Sequence, residues 1–254
     1  MPDNDPQVRE SAHAPIAPLA HYWKDERGRR RFVDDLFDRT AGDYDAVERM
    51  LAFGSGRWYR RQALQRAGLK SGMQVLDVAT GTGLVAREAL AVVGPTGKVL
   101  GLDPSAGMLS EAVKLDIPLV RALGEKLPYR DQAFDFVSMG FALRHVADLD
   151  ALFAEMKRVL KPGGTACILE ITRPSSDLVA APMRAFMTGV VPAVAALARR
   201  RAAASKLMHF YWDTIEACVK PEAVLAALER SGLGSPRRAV VLGMFSEYVA
   251  VNPN

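Results

Sequence analysis

The chain has 254 residues, 49% of them hydrophobic and 24% charged, with a formal net charge of +4. That mixture suits one α/β domain of ordinary size and excludes a disordered or fibrous chain. The charge is too small to argue for nucleic acid. Cys167 and Cys218 have no paired spacing, so neither a disulfide framework nor a zinc or other metal site is expected. Cys167, in the apolar run Ala166-Cys167-Ile168-Leu169, reads as core.

Residues 1–20 carry acids and prolines with no apolar signal region, and read as a flexible tail. No run of about eighteen unbroken apolar residues occurs, so a cytoplasmic protein is expected. Residues 21–70 read as a helical lid, with a helical pattern over 22–66. Phe32, Leu36 and Phe37 form one apolar stripe there, and Asp25/Arg29 can decorate the opposite face. Residues 71–254 read as the core. Strand 74–79, helix 83–93 and strand 98–102 come first, then helix 105–114, capped by Asp103 or Ser105. Strands 117–122 and 134–140 follow, then helix 149–160, ended by Lys161-Pro162-Gly163-Gly164, and strand 165–171. Such alternation implies right-handed crossovers and a mostly parallel sheet. Residues 175–216 form an Ala- and Met-rich helical insert interrupted by Pro182 and Pro192. Helix 221–231 and strands 237–243 and 245–251, joined tightly around Gly243, complete seven strands.

The segment Asp77-Val78-Ala79-Thr80-Gly81-Thr82-Gly83 carries the chemistry. A hydrophobic strand runs into a Gly-x-Gly turn that opens a helix, where a backbone without Cβ atoms lets a nucleotide approach. Gly81-x-Gly83-x-x-Ala86 also satisfies the relaxed dinucleotide fingerprint, and Asp103, at the end of the next strand, suits ribose hydroxyls under either reading. Asp77 separates the two. A carboxylate beside this turn would repel a pyrophosphate, whereas it attracts the sulfonium and α-ammonium of S-adenosylmethionine (SAM). At an effective dielectric of about 20, opposite charges ~4 Å apart interact by roughly 4 kcal/mol. The sign of this term favours SAM over NAD.

Residues 30–250 resemble the ubiquinone/menaquinone C-methyltransferase (UbiE) family. Four stretches carry the resemblance: Phe37-Asp38-Arg39-Thr40-Ala41-Gly42-Asp43-Tyr44-Asp45, the Asp77–Gly83 turn, Phe141-Ala142-Leu143-Arg144-His145-Val146, and Arg158-Val159-Leu160-Lys161-Pro162-Gly163-Gly164. The resemblance implies a Rossmann-like class I methyltransferase fold, a SAM cofactor without metal, and a homodimer. It places Tyr44 on the lid near the transferable methyl. Ala79, Gly81, Thr82, Gly83, Asp103 and Pro104 would surround the methionine and ribose portions, Met108, Leu123, Gly124 and Glu125 the adenine, and Gly140 the floor. The chain departs from the family pattern at Val47, Glu48, Gly56, Leu123, Ala142 and His145, mostly on the substrate side.

The expected substrate is a small hydroxylated aromatic, with C-methylation of a quinol-type ring as the first reading. The alternatives are O-, N- or C-methylation of a secondary metabolite, or a non-catalytic SAM-binding partner in a quinone-synthesis assembly. Arginine cannot readily lose a proton near neutral pH, so Arg144 reads as the holder of a phenolate or the orienter of a water. His145 reads as its base. In the insert, Met183, Phe186, Met187, Met208, Phe210, Tyr211 and Trp212 suggest an apolar substrate lining, to which Phe141 also contributes. His209 and Asp213, one turn apart, suggest a polar pair. Arg199–Arg201 fit either a solvated helix face or contact with an anionic membrane. There is no sequence to grip an extruded base and no long basic stripe, so nucleic-acid methylation is not expected.

Overall fold

A computed structural model of the chain describes residues 14–16, 19–51, 54–174, 176–197 and 201–253. Its strands are β1 (Gln74–Val78), β2 (Lys98–Asp103), β3 (Leu119–Arg121), β4 (Phe134–Gly140), β5 (Leu160–Ile171), β6 (Gly234–Val241) and β7 (Phe245–Val251). They form one sheet in the order β3-β2-β1-β4-β5-β7-β6. The first five are mutually parallel, and β7 runs antiparallel to both neighbours.

Alternation along each central strand feeds two cores. Leu76, Val137, Ile168 and Tyr248 face α5 (Leu149–Val159) and α9 (Pro221–Arg230). Their sequence neighbours Val75, Phe136, Cys167 and Val249 face α2 (Gly56–Arg66) and α3 (Leu84–Val93). Burial on both faces explains why these strands read as nearly continuous apolar runs. Ion pairs between buried carboxylates and exposed arginines fasten α2: Glu88 of α3 holds Arg57 and Arg61, and Glu247 of β7 holds Arg66. The strand order reverses between β1 and β4, which opens a crevice at their carboxyl ends.

Four expectations need correction. The helical stretch of residues 22–66 is two helices, α1 (Glu26–Leu51) and α2, with Gly54 between them at φ +77°. Arg29 is buried rather than decorative: Glu26 holds it, and its Nη1 donates to the carbonyl of His145 at 2.7 Å. Pro15 and Ile16 are pinned rather than loose. Val219 donates to the Pro15 carbonyl, and the apolar Ile16 bridges Cys218 and is buried; residues 1–13 lie outside the described part. Finally, β5 starts at Leu160, and Lys161-Pro162-Gly163-Gly164 is an irregularity within it, between the pairs Phe134–Leu160 and Phe136–Thr165. The tight connection before β7 is a turn with both Leu242 and Gly243 at positive φ, which matches the strand twist.

The insert comprises α6 (Asp177–Ala185), a π-turn (Phe186–Val190), α7 (Val191–Leu197) and α8 (Arg201–Ala217). With α1 it encloses a third core containing Trp23, Leu36, Val47, Met187, Met208, Phe210, Trp212 and Ile215. Arg199 and Arg200, and the side chain of Arg201, fall outside the described part.

Candidate active site

The turn after β1 is held in conformations that favour glycine. Gly81 and Gly83 take φ of +57° and +86°, and Ala79 joins them at +53°. A Cβ on Gly81 would meet nothing, whereas one on Gly83 would overlap Leu115. Asp77 does not face the cleft. It is 1% exposed and accepts hydrogen bonds from Thr80 Oγ1 (2.7 Å), Ser138 Oγ (2.6 Å) and the Ala86 amide. The expectation that its carboxylate reaches into the crevice is therefore corrected: its hydrogen bonds brace the turn from behind. Burial raises its pKa to about 6 despite those bonds.

Asp103 does line the cleft. The Gly81 and Ser105 amides each donate to one of its oxygens at 2.8 Å, which leaves each oxygen a lone pair for a ribose hydroxyl. Burial raises its pKa to about 6 as well, with the Asp77 charge contributing. Ser105 caps α4 (Ala106–Ala112) by accepting from the Met108 amide, which settles the choice of cap.

Helix α1 reaches both cofactor turns with acids. Asp45 accepts from Thr82 Oγ1 at 2.6 Å. Asp38 accepts from Ser105 Oγ at 2.5 Å and from the Gly107 amide at 2.9 Å. The lid is thus tied to the loops after β1 and β2. Both acids lie in the first family-like stretch, but nothing in their spacing names these partners.

Around this frame lies an open cleft of about 1090 Å³. Ala79, Gly81, Thr82, Asp103, Pro104 and Met108 line one end. Leu123, Gly124, Glu125, Gly140 and His145 line the rest. Gly83 serves as the N-cap of α3 and is not part of the wall. The open backbone at Gly81, the Asp103 carboxylate and the apolar Met108 and Leu123 fit a nucleoside.

A second, mostly apolar cavity of about 1220 Å³ lies under the insert, walled by Met183, Phe186, Met187, Ile171 and Phe245. The two spaces share Tyr44, Arg60 and Phe141. Phe141, just past β4, is held at φ +61°, a strained position for a bulky residue and one found at functional sites. Tyr44 and Tyr211 hydrogen-bond through their hydroxyls, and burial raises both pKa values. Arg60 and its partner Glu48, whose carboxylate accepts at 2.8 Å, were not expected in the site.

Arg144 lines the second cavity but is 1% exposed. It pairs with the equally buried Glu170, donates to Thr214 Oγ1 at 3.1 Å and lies over the Tyr211 ring. His145 faces the cofactor cleft instead. Its ring stacks on Phe210 and meets Phe37 edge-on, and neither ring nitrogen has a partner among the described residues. Burial, then the charges of Arg144 and Arg29, holds its pKa well below the ordinary value. An imidazole that resists its proton is a weak acceptor, so the base role expected of His145 is not supported.

The insert residues divide by helix face. Tyr211 lines the second cavity, whereas Met208, Phe210 and Trp212 belong to the core. His209 is exposed and outside both cavities. Asp213 is also outside them and accepts from the Tyr22 hydroxyl at 2.7 Å. Phe141 and Tyr211 are thus the expected substrate residues that reach the cavity, and His209, Trp212 and Asp213 are corrected.

A seven-stranded sheet in this order, with a glycine turn after its first strand and an acid ending its second, defines a class I SAM-dependent methyltransferase. The chain belongs to the ubiE/COQ5 methyltransferase family, whose sequence profile matches residues 23–240. It is similar to the ubiquinone/menaquinone biosynthesis C-methyltransferase UbiE of Pseudomonas aeruginosa, at 33% identity over 228 residues covering 84% of this chain and 89% of that one. The protein of the same name from Pseudomonas putida is 35% identical over 195 residues, covering 72% and 75%. Two solved structures share the fold. A SAM-dependent methyltransferase from Aquifex aeolicus has a TM-score of 0.57 at 24% identity, covering 76% of this chain and 88% of that one. Another from Thermotoga maritima has 0.61 at 18%, covering 86% and 99%.

Proposed function

We propose that the enzyme methylates a ring carbon of a quinol-type aromatic carrying a lipophilic group. The observation that carries this reading is the junction of the two spaces: a cofactor cleft and a large apolar cavity share the wall of Tyr44, Arg60 and Phe141. A hydroxylated ring at that junction would meet the donor on one side and leave an apolar substituent among Met183, Phe186 and Met187. The UbiE relatives supply the chemical class.

SAM, when bound, supplies an electrophilic methyl group at its sulfonium. Asp103 would hold the ribose, the Gly81–Thr82 turn the amino-acid portion, and Met108 and Leu123 the adenine. The chain's own contribution is alignment and exclusion of water, which contributes roughly 7–11 kcal/mol in favourable cases. Tyr44 and Phe141 narrow the passage, and the insert roofs the acceptor side.

The insert also suggests where the substrate comes from. Its helical run Asp177–Val194 is apolar enough by length and composition to cross a membrane, and only 17% of it is buried. Leu178 is 88% exposed, and Val190 and Val194 are also exposed. The insert is proposed to rest on a membrane surface and admit a lipid-soluble acceptor there.

Methyl-labelled SAM, reduced quinols and a phenolic extract from the host test the reading by mass spectrometry. Label on a ring carbon of a lipophilic quinol supports it. Label only on oxygen, nitrogen or a polar metabolite would move the enzyme to specialised metabolism. Glu48 supports that second reading, because it lines the acceptor cavity at a position that departs from the family pattern.

A further inference from the structure

The acceptor cavity needs a group to receive the hydroxyl proton, and its titratable walls can be taken one by one. Tyr44 and Tyr211 bond to each other, and both hydroxyls hold their protons tightly. The Arg144 guanidinium is engaged by Glu170 and Thr214. His145 lines the other space. Glu48 is the one carboxylate among the described residues that line this cavity.

Glu48 and Arg60 form a built pair. Arg60 Nη1 donates to Glu48 Oε1 at 2.8 Å, with the two side chains 5% and 17% exposed. Arg60 Nε is buried with no partner among the described residues, and the guanidinium lies 5.2 Å from the centre of the Phe141 ring at the shared wall. A buried donor without an acceptor is costly, so its retention points to a ligand atom. Gly56 makes the arrangement fit: a Cβ there would overlap Glu48 Oε1 and stand 2.6 Å from Arg60 Nη1.

We propose that Glu48 takes the proton from the ring hydroxyl of the substrate and that Arg60 holds the resulting oxygen anion. The inference rests on the proposed reading of a hydroxylated aromatic acceptor. The substrate O–H bond breaks, its proton passes to a Glu48 oxygen, and the electron pair stays on the phenolate beside Arg60. The ring carbon so enriched forms its bond to the methyl group while the bond from that methyl to sulfur breaks, leaving the pair on sulfur. The hydrogen on the methylated carbon then leaves as a proton to water, and Glu48 returns its proton to the oxygen. The net result is a methylated ring and one proton released.

Tyr44 on its own helix, Arg60 on α2, Arg144 beyond β4 and Tyr211 on α8 line the cavity together with Glu48.

The test compares wild type, E48Q and E48D with dihydroxynaphthalenes kept anaerobic, their hydroxyl acidity varied by ring fluorination. E48Q is expected to lower kcat by about 100-fold or more, with SAM affinity unchanged. The deficit should shrink as the phenol becomes more acidic, and E48D should recover part of the rate. Separately, the SAM-free protein should bind the dihydroxynaphthalene about tenfold less tightly as R60M, followed by tryptophan fluorescence. An E48Q rate within about threefold of wild type, or a deficit independent of phenol acidity, overturns the proposal. Wild-type protein that methylates no phenol or quinol overturns the functional reading itself, and this inference with it.

Discussion

Asp45 of the lid helix accepts a 2.6 Å hydrogen bond from Thr82, a residue of the glycine turn that faces the cofactor. Lid position and cofactor turn are therefore one mechanical unit. A hydrogen bond to a charged group contributes about 1.5–3 kcal/mol. Thr82→Val and Asp45→Asn should both weaken SAM binding, by calorimetry, more than they lower the melting temperature. Equal SAM affinity in both variants would show that the lid does not depend on this contact.

Asp103 is expected to set the pH dependence of SAM binding. Its folded pKa of about 6 lies above the ordinary 3.8, so the carboxylate proposed to accept ribose hydroxyls forms as pH rises through about 6. SAM affinity should rise between pH 5 and 7 and flatten above, and Asp103→Asn should lose both the rise and most of the affinity. In the SAM-free protein the raised pKa values of Asp77 and Asp103 have the opposite sense. The folded state binds the extra protons, so these groups subtract from stability increasingly from about pH 4 to pH 6.

The Arg144–Glu170 pair is buried on both sides. Removing one partner of such a pair costs about 3–5 kcal/mol, whereas replacing both with apolar residues is often neutral. Arg144→Met should therefore be strongly destabilised in urea, and the double variant Arg144→Met/Glu170→Leu should regain most of the loss. Tyr211, whose ring lies under the guanidinium, will lose its support in both.

His145 should stay neutral across the physiological range, because burial and two neighbouring guanidinium groups oppose its charge. Its ring resonances in a nitrogen-labelled sample should not titrate between pH 5 and 8. A midpoint near the ordinary imidazole value would restore it as a candidate base.

Much of this architecture is legible in the chain. Strands β4 and β7 match the expected bounds of 134–140 and 245–251, because apolar runs buried on both faces end at unmistakable turn residues. The cofactor wall is legible for a similar reason: Gly81 and Asp103 sit at fixed offsets from strand ends. The acceptor wall is not. Glu48 and Arg60 are twelve residues apart on two helices, and no periodicity crosses the break between α1 and α2. Asp77 looked like a ligand because sequence shows where a strand ends but not which way its last side chains turn. In the insert, helical spacing does not sort the aromatics, because Met208, Phe210, Tyr211 and Trp212 are all buried while His209 among them is exposed.

The two spaces meet only along Tyr44, Arg60 and Phe141, and the far wall of the second is supplied by Met183, Phe186 and Met187. Unbranched methionines repack readily around new shapes. Mutation can therefore reshape what the enzyme accepts while leaving the donor side untouched. Acceptor range is the evolvable half of this catalyst, and directed evolution confined to those three insert positions would explore it without forfeiting cofactor affinity.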